Sequence, residues 1–247
     1  MATIETISLP PDHGRPSART DDEITVIDDA VDAFRPEPCD PALSLRLVDE
    51  LDLERWDEAE RFIYDVFRVS EFCDESPRGW VEEIDRYRHG STLHVISDHS
   101  RPVGAARTIP GRYEELPIGK FAANVPVTDG PLVEIGSLAV RATLRGLGVA
   151  NELHRSAVRF ALLTGAEGFC MLVEPWAIDF YRDVYGVPLR QTAEARHYMG
   201  SLTVPAVAML DEMVDNLVRT RRGVYRWFTE DLPAEVFAER NLPVLLD

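Results

Sequence analysis

The sequence predicts a mixed α/β (α+β) domain, with a mostly antiparallel sheet flanked by helices. Three observations carry that prediction. Helical and extended patterns interleave along the chain from residue 43 onward. Two extended runs are separated only by Asp98-His99-Ser100-Arg101, the spacing of a hairpin. A third extended run passes through a glycine-containing loop directly into a helix.

The elements follow in order. Residues 1–40 read as a flexible tail, with Pro10, Pro11, Pro16, Pro36 and Pro38 scattered among acidic and small residues. One short helix is expected at 24–34. Residues 43–48 alternate as a strand. Residues 52–67 form an amphipathic helix, because Trp56, Ala59, Phe62, Ile63, Val66 and Phe67 recur at spacings of three and four. A polar loop carries Ser76-Pro77-Arg78-Gly79. Strands are expected at 93–97 and 102–109, ended by Pro110-Gly111. Residues 111–130 read as a long irregular connection, and 132–140 as a strand. A helix at 151–164 presents Leu153, Ala157, Phe160 and Ala161 on one face, and Gly165 and Gly168 stop it. A strand at 169–173 ends at Pro175. A short helix at 177–185 ends at Gly186, a closing strand falls at 195–199, and a helix at 209–220. The domain organisation expected is a tail at 1–40, a folded domain at 41–205, and a C-terminal helix and tail at 206–247 packed on it.

Composition narrows the function classes. The chain has 247 residues, 45% of them hydrophobic, enough for a sizeable core. No uninterrupted apolar run reaches the roughly 20 residues that a membrane helix needs. The N-terminus has neither a basic start nor an apolar stretch, so a cytoplasmic location is expected. The net charge of −17 makes nucleic acid a poor partner. Cys39, Cys73 and Cys170 fit neither a disulfide framework nor a zinc pattern, and no metal is expected.

The loop Arg145-Gly146-Leu147-Gly148-Val149-Ala150 is the most informative segment. A strand, a glycine turn and a helix N-terminus together aim backbone N–H groups at one point, which suits a pyrophosphate. Any strand-to-helix turn also favours glycine, so the loop alone leaves both readings open. It is neither a Walker loop nor a dinucleotide fingerprint.

With a second segment the sequence resembles a family. The loop looks like the acyl-CoA motif of the GNAT acyltransferases, and the stretch from Ala177 through Tyr181 to Gly186 looks like the family's second signature. One helix and one strand separate the two, as the GNAT fold requires. The resemblance implies a GNAT-like sheet, an acyl-CoA or acetyl-CoA co-substrate held by Leu138, Ala139, Val140 and residues 145–150, and transferase activity. A looser similarity over residues 45–200 is to autoinducer (acyl-homoserine-lactone) synthases and long-chain N-acyl amino acid synthases. It rests on Tyr64 to Arg68, Glu83, Asp85, His94, Arg107 and Glu134. The sequence departs from the autoinducer synthases at Ser137, where they carry arginine, and in keeping an intact glycine loop. Acyl-CoA as donor and an amine as acceptor are therefore expected, rather than lactone synthesis.

Acyl transfer to an amine needs a base, an oxyanion site and a proton for the thiolate. Glu134 is the candidate base or amine anchor, the alternative being an ordinary strand carboxylate. The resemblance makes Tyr181 the group that protonates the leaving thiolate, the alternative being a packing aromatic. Backbone N–H groups near Leu138 to Val140 are expected to face the oxyanion. Arg68 and Arg107 are candidates for an acceptor carboxylate or for orienting Glu134, against simple ion pairing. Glu174 and Trp176 either line the acceptor pocket or cap the preceding strand. His94 reads as a core histidine. Two further functions stay open: an acetyltransferase for a small molecule or protein, and a non-catalytic acyl-CoA-binding module. The partner expected is a small-molecule amine, acting on a monomer or homodimer.

Overall fold

The computed structural model describes residue 36 and residues 38–245. The helix expected at 24–34 lies outside the described residues. Eight strands form the sheet: β1 (Ser44–Asp49), β2 (Thr92–Asp98), β3 (Arg101–Gly111), β4 (Leu132–Val140), β5 (Gly168–Val173), β6 (Arg190–Gln191), β7 (Arg196–Tyr198) and β8 (Ser201–Met209). Their order is β1-β2-β3-β4-β5-β8-β6, with β7 also paired to β8. Every pairing is antiparallel except β4 with β5.

Connection length explains that pattern. The β2–β3 turn is only two residues, and both His99 and Ser100 take positive φ (45° and 78°), the sense that matches strand twist in a tight hairpin. Between β4 and β5 runs the helix Val149–Leu163, so those two strands can lie parallel.

Seven α-helices are assigned among the described residues: α1 (Leu53–Val69), α2 (Glu82–Asp85), α3 (Val149–Leu163), α4 (Pro175–Phe180), α5 (Leu210–Thr220), α6 (Arg222–Thr229) and α7 (Ala234–Glu239). Helix α1 is capped by Asp52 and turns Trp56, Ala59, Ile63 and Phe67 into one core layer with Leu93, Val95, Ala105 and Ile109. Helix α3 covers the opposite face, where Val149 and Leu153 meet Ile96, Val103 and Ala106. Its approach needs Gly104: a Cβ there would come within 2.5 Å of Val149 Cγ1. Helices α5 and α6 extend that layer through Met213, Val214, Leu217, Val224 and Phe228.

The structure adds elements the periodicity did not show. The connection at 111–130 contains two 3₁₀ turns, Tyr113–Glu115 and Pro117–Lys120. The strand expected at 195–199 is short, and the long β8 follows it. That strand is buried on both faces from Thr203 to Ala208, so no alternation marks it, and Pro205 interrupts its strand character. Helices α6 and α7 and the short β6 are likewise additions.

Candidate active site

The sheet opens in its middle. Strands β4 and β5 pair only from Leu132 with Gly168 to Glu134 with Cys170. Beyond that point β4 continues to Val140 and β5 to Val173 without joining. A bulge deepens the opening. Ala106 of β3 faces two residues of β4, Ser137 and Leu138, because Arg107 pairs with Gly136 and Ala105 with Ala139. Ser137 takes φ 51° to make this turn.

The gap is a cleft of about 430 Å³, lined by Glu134 to Leu138 from β4 and Met171 to Glu174 from β5 and its end. Phe67, Ile109, Phe180 and Met199 give it apolar walls. It meets a second groove of about 350 Å³ over the glycine loop, and both are lined by Phe67, Phe72, Leu138, Ala150 and Asn151.

The loop has the conformation its glycines permit. Gly146 and Gly148 sit at φ 78° and 74°, the left-handed region. Gly148 caps α3, and its carbonyl takes the Glu152 N–H at 3.0 Å. The amides of Val149 and Ala150 precede the first intrahelical bond, so their N–H groups point out of the helix end, where the dipole favours an anion. Arg145 and Leu147 are exposed beside them.

Glu134 lies at the apex of the cleft and is 3% exposed. Its Oε2 accepts the Ile118 N–H at 2.7 Å. Burial pushes its pKa up to about 8, against the smaller pull of that N–H and of Lys120. Tyr181 stands on the other wall, in a π turn (Tyr181–Tyr185) that continues α4 and ends at Gly186, φ 68°. Its hydroxyl is 2.8 Å from His154 Nε2 and 2.9 Å from Nδ1. Burial raises the Tyr181 phenol well above its usual range and holds the His154 imidazole down to about 4, so both are neutral near pH 7. Tyr185 donates to Asn151 Oδ1 at 2.6 Å and stacks on Trp227 of α6 at 6.1 Å between ring centroids.

The structure brings Glu134, Leu138, Ala150, Glu174, Trp176 and Tyr181 to one cleft. Val140, Arg145, Gly146 and Gly148 line the adjoining groove, and Ala139 lies buried between them on β4. Trp176 is 62% exposed at the mouth, and its Nε1 donates to Glu174. Arg107 reaches the cleft wall but is 1% exposed and ion-paired with the buried Glu60, under the ring of Trp56. Arg68 is on the exposed side of α1 and donates to the Cys73 carbonyl at 2.9 Å. His94 is fully buried between Ser156 and Thr108. Among the described residues no group of three or more His, Cys, Asp or Glu side chains is placed to hold a metal ion. No helix among them is long and apolar enough to cross a membrane.

Sequence reasoning did not single out His154, Asn151 or Tyr185. With the helix starting at Val149, Ala150, Asn151 and His154 fall at spacings of three and four on one face, and that was the available signal.

A mixed sheet that parts at one parallel seam, with a glycine-loop helix at the opening, is the GNAT fold, and the chain is an acyltransferase of that fold. Residues 58–211 match the family model "N-acyl amino acid synthase FeeM", and the chain belongs to that family. FeeM itself, an N-acyl amino acid synthase from uncultured soil microbes, superposes with a TM-score of 0.54 at 15% identity, over 70% of this chain and 94% of that one. BjaI, a CoA-dependent acyl-homoserine lactone synthase solved with SAM and isopentyl-CoA, gives 0.58 at 15% identity, over 81% and 100%. The AHL synthase LasI gives 0.55 at 13% identity, over 73% and 94%. At these identities the structures share the fold. No curated protein matches the chain.

Proposed function

We propose that the protein transfers the acyl group of an acyl-CoA to the α-amine of a free amino acid, with Glu134 as general base. The observation that carries this reading is Glu134 itself: a carboxylate buried at the apex of an apolar cleft, with one backbone N–H as its hydrogen-bond partner. With a pKa of about 8 its ionised form is a stronger base than an ordinary carboxylate, and it takes a proton from an ammonium or a bound water as the pH rises toward 8.

In the proposed reaction the amine nitrogen attacks the thioester carbonyl carbon. The C–N bond forms as the carbonyl π electrons move onto oxygen, the amine proton passes to Glu134, and the C–S bond breaks when the oxyanion re-forms the carbonyl. Backbone N–H groups between Leu138 and Val140 that face the gap stabilise the oxyanion. The Tyr181 hydroxyl, neutral at working pH, donates to the departing sulfur, and His154 holds the phenol in place. The amides of residues 145–150 and the Arg145 guanidinium hold the pyrophosphate. The apolar walls and the exposed rings at Trp176 and Phe180 favour a donor longer than acetyl.

The test is thiol release from acyl-CoAs, acetyl to palmitoyl, against a panel of free amino acids, with the product identified by mass spectrometry. Release that depends on an amino acid and yields one amide per thiol is the expected result. Release independent of any amine, or none with any donor, rejects the proposal.

A further inference from the structure

The reaction proposed above needs a cation for the acceptor's α-carboxylate. Arg107 is committed to Glu60 in the core, and Arg145 stands at the donor loop. A different residue is placed for the task. The chain has 26 Lys and Arg residues, and 25 of them are arginine; Lys120 is the single lysine. A compact, strongly hydrated ammonium with three rotatable donors is kept at one position in a chain that otherwise uses guanidinium groups throughout.

Lys120 ends the 3₁₀ turn Pro117–Lys120, and it is the Ile118 N–H of that same turn that holds Glu134. One turn therefore places both the base and an ammonium. The turn is anchored from β7, where Arg196 donates to the Lys120 carbonyl at 2.7 Å and its guanidinium lies 3.8 Å from the centroid of Phe121. The Lys120 ammonium is paired with the Glu83 carboxylate, stands 3.4 Å from the Tyr198 hydroxyl, and is 5.3 Å from the centre of that ring.

Tyr198 belongs to the cleft wall. Together with Phe72 and Met199 it also lines a neighbouring cavity of about 590 Å³, to which Glu83 contributes. Lys120 itself lines neither space, but both side chains that meet its ammonium do: Tyr198 stands on the wall shared by the cleft and the side cavity, and Glu83 on the side cavity. Glu83 accepts from both the Lys120 ammonium and, at 3.3 Å, the Tyr198 hydroxyl; that side chain is 46% exposed against 24% for Lys120, and exposed ion pairs are weak. A protein carboxylate rests on this ammonium where a ligand carboxylate of the same chemistry fits.

We propose that the acceptor amino acid docks its α-carboxylate on the Lys120 ammonium and the Tyr198 hydroxyl, displacing Glu83, with its α-amine directed at Glu134. This deepens the acyl-transfer reading and rests on it. Lys120 then sets the acceptor class: amino acids rather than simple amines.

The test compares phenylalanine, tyrosine and leucine with their C-terminal amides, which keep the amine and side chain and lack the charged carboxylate. The readout is the ratio of kcat/KM, acid over amide. That ratio cancels any general effect on Glu134 or on folding. Wild type favours the acids. Lys120→Met lowers the ratio by about 10- to 100-fold, the range for loss of one charge-assisted hydrogen bond, and Lys120→Arg restores part of it. Glu83→Gln, which removes the competing carboxylate, moves the other way and lowers KM for the acids several-fold more than for the amides. A wild-type ratio near one, or a ratio unchanged in Lys120→Met and in Glu83→Gln, overturns the Lys120 assignment while transfer to amides keeps the acyltransferase reading. Absence of transfer to every acid and amide overturns both.

Discussion

Among the described residues two glutamates are buried within the reach of one sheet, and they sit in different surroundings. Glu60 of α1 lies in the core layer under Trp56, with the Arg107 guanidinium against it. Glu134 of β4 lies at the cleft apex, with a single backbone N–H. Burial raises the pKa of both, and in Glu60 the arginine opposes it strongly. A buried carboxylate is thus not a functional signal by itself. What separates the two regions is whether the surroundings supply a compensating cation and whether the carboxylate opens onto a space that admits a ligand.

The largest effect expected from breaking this comparison is at Glu134. Glu134→Gln keeps an oxygen for the Ile118 N–H and removes the base, so kcat/KM falls by about 10²- to 10⁴-fold, measured by thiol release at saturating donor. Its stability moves oppositely. Between the ordinary carboxylate range and about pH 8 the folded protein holds a proton that the unfolded chain has released, so stability falls as pH rises across that window. The variant lacks this loss, and its Tm advantage over wild type widens from pH 5 to pH 9. An equal Tm difference at both pH values contradicts the burial argument. In wild type the rate rises with pH as Glu134 loses its proton, with a midpoint near 8.

Next is the Glu60 pair. Arg107→Met leaves a buried carboxylate alone and is expected to cost about 3–5 kcal/mol in urea unfolding. Adding Glu60→Leu recovers much of it, and neither change moves the midpoint of the rate profile. A midpoint shift in the double variant would tie Arg107 to Glu134 and erase the distinction drawn above.

Tyr181→Phe is smaller, a loss of about 100-fold in kcat, at the low end for a proton donor. The loss shrinks when the acyl donor carries a thiol of lower pKa, which needs no help to leave. Smallest is Gly146→Ala. A non-glycine residue at φ 78° costs about 1–2 kcal/mol, read as a KM for acyl-CoA raised by about 10-fold with kcat little changed.

The sequence made the proposed donor half of this site legible and the proposed acceptor half opaque. The loop at 145–150 is contiguous, and its glycines announce the conformation they take. Glu134 could be nominated from its place on the strand leading into that loop, and Tyr181 from the family resemblance of the segment that ends at Gly186. The Arg107–Glu60 pair joins residues 47 apart through the packing of α1 on β3, which no local pattern encodes. Lys120 was passed over because its turn lay in a segment without periodicity, and its neighbours Glu83 and Tyr198 come from elsewhere in the chain. In β8 the two-sided burial erased the alternation that betrays a strand.

The short seam between β4 and β5 has a consequence for how the molecule handles its own backbone. An open strand edge on the outside of a protein is a hazard, since any extended chain can pair with it. Here the incomplete edge faces the cleft, lined by residues of α3 and α4. The amide-bearing arm of the proposed donor is slender enough to reach it. In the proposed reaction, loading the donor amounts to inserting a temporary strand into the gap between β4 and β5.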